Sequence, residues 1–338
     1  MPLKTYREAI TTALREAMRA DARVCILGED VSGGAGCATG RQDAVGGAFG
    51  VTKGLLTEFG PLRVIDMPIS ETAFVGAAIG ASLTGLRPVV DLMFADFAGV
   101  CFDQIFNQAA KIRYMSGGKA AAPIVIRMAM GGGLTAGAQH SQTLYPQLTG
   151  IPGLKCVVPS NAYDAKGLMA SAIADEDPVI FLEHKALYST QCQVPDEPYR
   201  IPFGKASVVR PGTDVSLVTL GAMVQVAEAA ATSLALRGIS CEIIDLRTTS
   251  PLDETTILQS VRHTGRLVVI DEAPPRCSIA SEIAALVAER AFASLRAPLV
   301  KVTAPHSPVP FAPQLEKLYV PDANRVSAAV EHLMNEGG

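Results

Sequence analysis

"RVIDMPISETAFVGAAIGASLTGLRPVVDLM", residues 63–93, contains a β-rich run (63–67), a helical stretch and a second β-rich run (88–93). Ser70 is a good N-cap, which places Glu71 in the first turn of the helix. No other charge occurs between Glu71 and Arg87, and the helix is built from Ala73, Phe74, Val75, Gly76, Ala77, Ala78, Ile79 and Gly80. A carboxylate buried among such residues costs several kcal/mol unless something pairs with it. The plainest role for Glu71 is to complement the helix dipole, worth ~0.3–1 kcal/mol. The alternative sets it at the entrance of a dry site, on a helix whose Gly76 and Gly80 let another backbone approach closely.

The same strand–helix alternation extends in both directions. Apolar β-rich runs recur at 23–27, 123–129, 155–159 and 178–183. Between them Phe102, Ile105, Phe106, Ala109 and Ile112 follow helical spacing and are expected to face one core. Strands alternating with helices give an α/β fold with a mostly parallel, doubly wound sheet. A polar, proline-containing stretch interrupts the pattern, so a first domain over 1–186 is followed by a linker at 187–204. The alternation resumes over 205–338, with β-rich runs at 215–220, 239–246, 266–271 and 298–303 and helices at 223–236, near 253–262 and near 279–293. This is a second, smaller parallel α/β domain. Residues 32–50, "SGGAGCATGRQDAVGGAFG", form a glycine-rich loop expected to be mobile or ordered by a ligand or partner.

A chain of 338 residues is long enough for two such domains. Hydrophobic residues make up 49% and charged residues 18%, and the mean hydropathy is +0.27. No apolar stretch reaches the ~18 residues of a membrane span. Large subunit interfaces account better for the apolar excess. The net charge of −4 argues against nucleic acid. Seven scattered cysteines without a CxxC argue against a disulfide framework or a zinc site. The first residues read as an amphipathic helix rather than a signal peptide, so a cytoplasmic location is expected.

In open α/β sheets ligands sit beyond the carboxyl ends of the strands. Three segments fall there: "GED" (28–30), "ISE" (69–71) and "GGGLTAGAQHSQ" (131–142). His140, in an uncrowded loop that begins with three glycines, has a setting that suits acid/base work. His184 follows a strand and is a second candidate. No histidine pair has metal-ligand spacing, and no phosphate loop of the GxxxxGK[ST] or GxGxxG kind is present.

Taken together, "LGED" (27–30), "DMPISE" (66–71), "GLRPVVDLMFADF" (85–97), "DQIFNQAAKIRYMSGG" (103–118), "AQHSQ" (138–142), "PGLKCVVPSNAYDAKGL" (152–168), "DPVIFLEHKALY" (177–188) and "IDLRTTSPLD" (244–253) resemble the β subunits of the first component of 2-oxo acid dehydrogenase complexes, in the transketolase-like family. "GGAFGVTKGL", "VCFDQIFNQAAK" and "FLEHKALY" are most similar to the acetoin dehydrogenase branch. The resemblance implies a pyrimidine-binding domain followed by a smaller C-terminal domain. It implies that Glu71 meets N1′ of the aminopyrimidine ring of thiamine diphosphate, favouring the tautomer whose exocyclic nitrogen takes the proton from C2. Low dielectric strengthens such a hydrogen bond. Phe97 matches the aromatic residue on the pyrimidine face, Ile69 and Met93 its apolar neighbours, and Glu29 an acidic residue near the cofactor. His140 matches the histidine facing the reacting carbon.

The "GDG" that begins the diphosphate and metal motif of thiamine enzymes is absent. The resemblance therefore implies an α subunit that holds the diphosphate and its Mg2+, an α2β2 heterotetramer, and docking to a dihydrolipoyl acyltransferase core. It also implies a potassium ion held mainly by backbone carbonyls at Ile124, Ala172, Asp175 and Asp177. The expected reaction is cleavage of acetoin to acetaldehyde, with an acetyl group passed to lipoamide. Pyruvate or branched-chain 2-oxo acid dehydrogenation is the alternative substrate reading. A non-catalytic assembly subunit is the alternative of another class, and the intact Glu71 and His140 motifs speak against it.

Overall fold

The computed structural model describes residues 1–33 and 45–336. Most of the glycine-rich segment and Cys37 lie outside the described residues. The chain divides into two compact units, Met1–Met130 with Leu148–Phe203, and Gly131–Gln147 with Gly204–Gly338.

In chain order the first elements are β1 (Leu3–Thr5), α1 (Tyr6–Ala20), β2 (Val24–Gly28), α2 (Leu55–Phe59), β3 (Val64–Asp66), α3 (Glu71–Leu83), β4 (Arg87–Phe94), α4 (Ile112–Met115), β5 (Val125–Met130), α5 (Tyr145–Thr149), β6 (Lys155–Val157), α6 (Ala162–Ala174), β7 (Val179–His184) and β8 (Gln191–Gln193). Thr5 starts α1 with a capping box: its hydroxyl accepts from the Glu8 amide, and the Glu8 carboxylate accepts from the Thr5 amide at 2.8 Å. The helix buries Tyr6, Ala9, Ile10, Ala13 and Leu14 and packs against α6. The strands of the first unit run β6-β7-β5-β4-β2-β3 and are all parallel. β2, β5 and β7 are buried along their whole length, which is why each reads as a continuous apolar run rather than an alternation.

The chain leaves β2 for β3 on one side and returns to β4 on the other, so the order reverses between β2 and β4. A crevice beyond the carboxyl ends of these two strands is the expected ligand position in such sheets. At this point Gly28 is required by space, because a Cβ there would lie 2.5 Å from the Asp91 carbonyl oxygen.

The second unit contains β9 (Ser207–Arg210), β10 (Val215–Thr219), α7 (Met223–Ala235), β11 (Cys241–Asp245), β12 (Thr248–Ser250), α8 (Glu254–Thr264), β13 (Leu267–Asp271), α9 (Ile279–Arg290), β14 (Val300–Thr303), α10 (Pro313–Tyr319) and α11 (Ala323–Glu336). Its sheet runs β14-β13-β10-β11-β9, parallel except for β9. Leu217, Ile243, Val268, Leu234, Val330 and others form its core. The doubly wound α/β expectation is borne out in both units.

Two local expectations are corrected. The stretch carrying Phe102 to Ile112 is not a regular helix facing one core: Gln104–Ala109 is a π-helix, closed by the Ala110 amide donating to the Ile105 carbonyl. The wider turn breaks the i, i+3, i+4 stripe. Ile105 and Ala109 are buried, while Phe102 and Phe106 stay exposed and stack with centroids 5.5 Å apart. The linker is also more than a spacer. Within it β8 pairs antiparallel with β1. The fully buried Lys166 ammonium donates to the carbonyls of Pro195, Asp196 and Glu197 at 2.9–3.1 Å, and it pairs with Glu16.

Candidate active site

Glu29 follows the end of β2, the turn after β3 leads into Glu71, the end of β4 carries Met93, and the 3-10 turn after it (Ala95–Gly99) carries Phe97. The order reversal of the first unit thus gathers four of the expected residues. Glu29 is 8% exposed and Glu71 7%. Glu29 Oε1 is buried with no hydrogen-bond partner among the described residues. Burial raises the Glu29 carboxyl above its ordinary range, and the charges of Glu71, Asp30 and Asp91 push the same way. The Glu71 charge is thus close enough to Glu29 to raise its proton affinity.

Ser70 occupies the N-cap position but does not cap. Its hydroxyl donates to the Pro68 carbonyl at 2.9 Å and accepts from no α3 amide. The Ala73 and Phe74 amides donate instead to the Ser70 carbonyl at 2.8 and 3.1 Å. Thr72 donates to the Val100 carbonyl at 2.7 Å and ties the helix to the segment that carries Phe97. Cys101 lies close enough to feel Glu71. Its thiol is pushed up to about 12, by burial first and then by that carboxylate, so it is no nucleophile. Met93 has φ +60°, a left-handed conformation that costs a non-glycine residue ~1–2 kcal/mol. Its amide donates to Asp91 Oδ1 at 3.1 Å, which holds the turn. Phe97 is half-buried and meets Phe94 edge to face at 5.5 Å. Ile69 is 85% exposed.

Beneath this turn lies a buried network that sequence reading missed. Arg127 pairs with Asp91 through Nη1 and with Glu183 through Nε (2.7 Å) and Nη2 (2.6 Å). Tyr188 donates to Glu183 Oε2 at 2.8 Å. Burial opposes the charge on Arg127, but Asp91 and Glu183 more than offset it and hold the guanidinium fully charged. The signal was present: Arg127 interrupts an apolar run, and Asp91 does so at the register position opposite it on β4.

His140 belongs to the second unit. Its loop begins with Gly131 (φ +88°), Gly133 (φ +96°), Thr135 (φ +53°) and Gly137 (φ +77°). The Gly132 amide donates to Glu272 Oε1 at 2.6 Å, and the Gly133 and Thr135 amides donate to the two oxygens of Glu316 at 2.9 Å each. Farther along, the Tyr145 hydroxyl donates to Asp271, which also accepts from the Ala273 and Ala280 amides at 2.8 and 3.2 Å. Burial lifts the Asp271 carboxyl to about 6 against these hydrogen bonds. His140 is half-buried, between the exposed Gln139 and the buried Ser141. His184, the second histidine candidate, is 3% exposed and accepts the Ala186 amide at 3.2 Å through Nδ1.

At the expected potassium position the Ile124 carbonyl accepts from Val179, the Ala172 carbonyl from the Asp175 amide, and the Asp175 carbonyl from Arg87. Lys155 neutralises Asp175 at 2.6 Å, and Arg113 and Lys155 meet Asp177. The carboxylates are thus engaged. Any monovalent ion there would rely on second lone pairs of the carbonyls. Among the described residues no cluster of three or more His, Cys, Asp or Glu side chains could hold a metal ion.

With this geometry in hand, residues 3–191 match the family described as transketolase, pyrimidine binding domain, and residues 204–326 match transketolase, C-terminal domain. The chain belongs to the transketolase-like family. Within it, the chain is 57% identical over 97% of each chain to the acetoin:2,6-dichlorophenolindophenol oxidoreductase subunit beta of Cupriavidus necator. It is 53% identical to the protein of the same name from Bacillus subtilis, over 97% of this chain and 96% of that one. A pyruvate dehydrogenase E1 component subunit beta from Rhizobium meliloti is 45% identical, over 98% of this chain and 70% of its own. A split gene transketolase in an inactive β4 tetramer superposes with a TM-score of 0.79 at 24% identity, over 99% of each chain, a likeness of fold.

Proposed function

We propose that this transketolase-like chain is the β subunit of a thiamine diphosphate-dependent acetoin dehydrogenase, working as one half of a site completed by an α subunit. The observation that carries the reading is the drop in identity from 57% and 53% for acetoin oxidoreductase β subunits to 45% and 41% for pyruvate and 2-oxoisovalerate dehydrogenase β subunits. The residues of the first unit fit the cofactor's pyrimidine half. A buried Glu29 oxygen without a partner among the described residues and a buried Glu71 at a helix entry suit a ring that brings hydrogen-bond donors and a mobile proton.

When bound, thiamine diphosphate supplies a nucleophilic carbon that cleaves the bond beside a carbonyl. Glu71 holds the ring nitrogen N1′ through a hydrogen bond that is strong because its surroundings are dry. Glu29, with its raised affinity for a proton, stands next to it as a proton store. Met93 and Phe97 offer apolar surface to the ring, with Ile69 on its rim. His140 holds or delivers a proton at the substrate oxygen. The α subunit carries the diphosphate and Mg2+, since this chain has no motif for either. The assembly is an α2β2 heterotetramer in the cytoplasm that docks to a dihydrolipoyl acyltransferase core. Potassium at the Ile124, Ala172, Asp175 and Asp177 carbonyls braces the first domain (1–186). The polar linker of 187–204 joins it to a second domain over 205–338.

Two measurements test this. The assembled enzyme with a dye acceptor should show a higher kcat/KM for acetoin than for pyruvate, and a preference for pyruvate or a branched 2-oxo acid would overturn the substrate assignment. Glu71→Gln should keep the fold and slow hydrogen–deuterium exchange at the cofactor's C2 by ~10²–10⁴-fold, the range of general acid/base effects. Unchanged exchange would remove Glu71 from the chemistry.

A further inference from the structure

The loop that bears His140 has an unusual backbone. Gly131, Gly133, Thr135 and Gly137 all have positive φ, alternating with residues of ordinary hand. Thr135 takes this conformation without being glycine, which costs ~1–2 kcal/mol. A loop of this shape does not persist by itself, because glycine leaves many other conformations open. Something must hold it.

Glu316 does so. It sits in α10, far away in sequence, and is 3% exposed. One of its oxygens accepts the Gly133 amide and the other the Thr135 amide, both at 2.9 Å. Amides that converge on one carboxylate in this way form an anion-binding concavity, filled here by the protein's own side chain. Hydrogen bonds to an ionised acceptor are roughly twice as strong as neutral ones. Glu272 adds one contact at Gly132. Packing closes the clamp: a Cβ on Gly132 would lie 2.9 Å from Val320, and one on Gly137 3.2 Å from Phe311, both beside the helix that carries Glu316. His140 follows at once, its amide turning back to the Gly137 carbonyl at 3.4 Å.

We propose that Glu316 is a positioning residue for His140, fixing the backbone of 131–137 so that the imidazole is presented in one place. The inference rests on the acid/base reading of His140. It is specific to a carboxylate with two accepting oxygens. A glutamine offers one acceptor and turns an NH2 group toward the other amide, so half of the clamp becomes a donor–donor clash.

The test uses the enzyme assembled with its α subunit. Glu316→Gln should lower kcat for acetoin by ~10–100-fold, the scale of a misplacement near 1 Å, while KM and thiamine diphosphate affinity change less than about twofold. Hydrogen–deuterium exchange should accelerate in the peptide over 131–140 with the melting temperature largely kept. The decisive comparison is Glu316→Gln combined with His140→Ala. If Glu316 acts through His140, the double variant turns over no more slowly than His140→Ala alone. If the two losses multiply, the proposal is overturned. A slow His140→Ala beside a normal Glu316→Gln would also overturn it and leave the acid/base reading standing. A normal His140→Ala would remove that reading and the inference with it. Should Glu316→Gln fail to assemble, Glu316→Asp, which keeps the charge on a shorter arm, enters the same cycle.

Discussion

At the carboxyl end of β2 in the first unit, Glu29 has an oxygen with no hydrogen-bond partner among the described residues, and burial first and three other acids after it raise its proton affinity. At the carboxyl end of β13 in the second unit, Asp271 and Glu272 take donors from Tyr145, Ala273, Ala280 and Gly132. Both places lie beside a reversal of strand order, where a doubly wound sheet opens a crevice. The same residue type at the same topological place has been put to two uses. Glu29 of the first unit has an oxygen short of a donor among the described residues, as a group does that a ligand can complete. Asp271 and Glu272 of the second unit are spent on the chain itself, holding the turns around a glycine-rich loop. Topology therefore says where an acid can matter, and the donor inventory says whether it faces a ligand or the fold.

The largest effect expected from this contrast falls on the buried cation that lets acids sit deep in the first unit at all. Arg127 answers both Asp91 and Glu183. Arg127→Met should destabilise the chain by ~3–5 kcal/mol, because removing one partner leaves buried charge uncompensated. Denaturant unfolding would measure it. A loss below about 1 kcal/mol would mean that water or rearrangement already serves these acids. The turn at Met93 depends on Asp91, so cofactor affinity should fall together with stability.

A smaller effect tests the second unit. Tyr145→Phe removes a donor from Asp271 and should cost ~1–3 kcal/mol, the penalty for a buried acceptor left short of a partner. The pH dependence gives a sharper signature. The folded protein holds the Asp271 proton up to about 6, against 3.8 for the free side chain, so this group makes stability fall as pH rises through that window and leaves it flat above. The Tyr145 hydrogen bond lowers the Asp271 value. Its loss should therefore push the upper edge of the window toward neutral pH. Melting curves of the two proteins between pH 4 and pH 8 should diverge as pH rises, and parallel curves would show that Tyr145 does not serve Asp271.

Much of the fold was legible because strands buried on both faces read as unbroken apolar runs. The observed strands Val125–Met130 and Val179–His184 begin and end within two residues of the runs in the sequence. The positions of Glu29 and Glu71 were legible for a related reason, since each follows a strand end where a sheet binds ligands. What the sequence hid is pairing at long range. Nothing local ties Gly133 to Glu316, because the clamp exists only once α10 has packed. The π-helix at Gln104–Ala109 was hidden differently: its apolar residues keep helical spacing, and only the backbone's wider turn moves Phe102 and Phe106 to the surface. Ser70 had the right identity for a cap and used its hydroxyl elsewhere.

The smallest effect has the opposite sign and cuts most directly at the contrast. If Glu29 stands in the first unit for a ligand's sake, it stands there at the fold's expense. Glu29→Gln removes a charge repelled by Glu71, Asp30 and Asp91 and should stabilise the free chain by about 1 kcal/mol at neutral pH, within the range for relieving one unsatisfied buried group. The sign with pH follows from the raised proton affinity. Wild-type Glu29 is held protonated in the folded chain beyond the pH at which the unfolded chain releases its proton, so its contribution weakens as pH rises and the advantage of glutamine grows. Asp271 lacks this behaviour toward substitution, because its oxygens are in use. With thiamine diphosphate and the α subunit bound, the order should reverse, since glutamine no longer offers an exchangeable carboxyl proton to the site. Melting temperatures of the two β chains, alone and in the loaded complex, would decide it. A variant that is less stable in both settings would place Glu29 with the structural acids and leave Glu71 as the sole carboxylate kept for the cofactor.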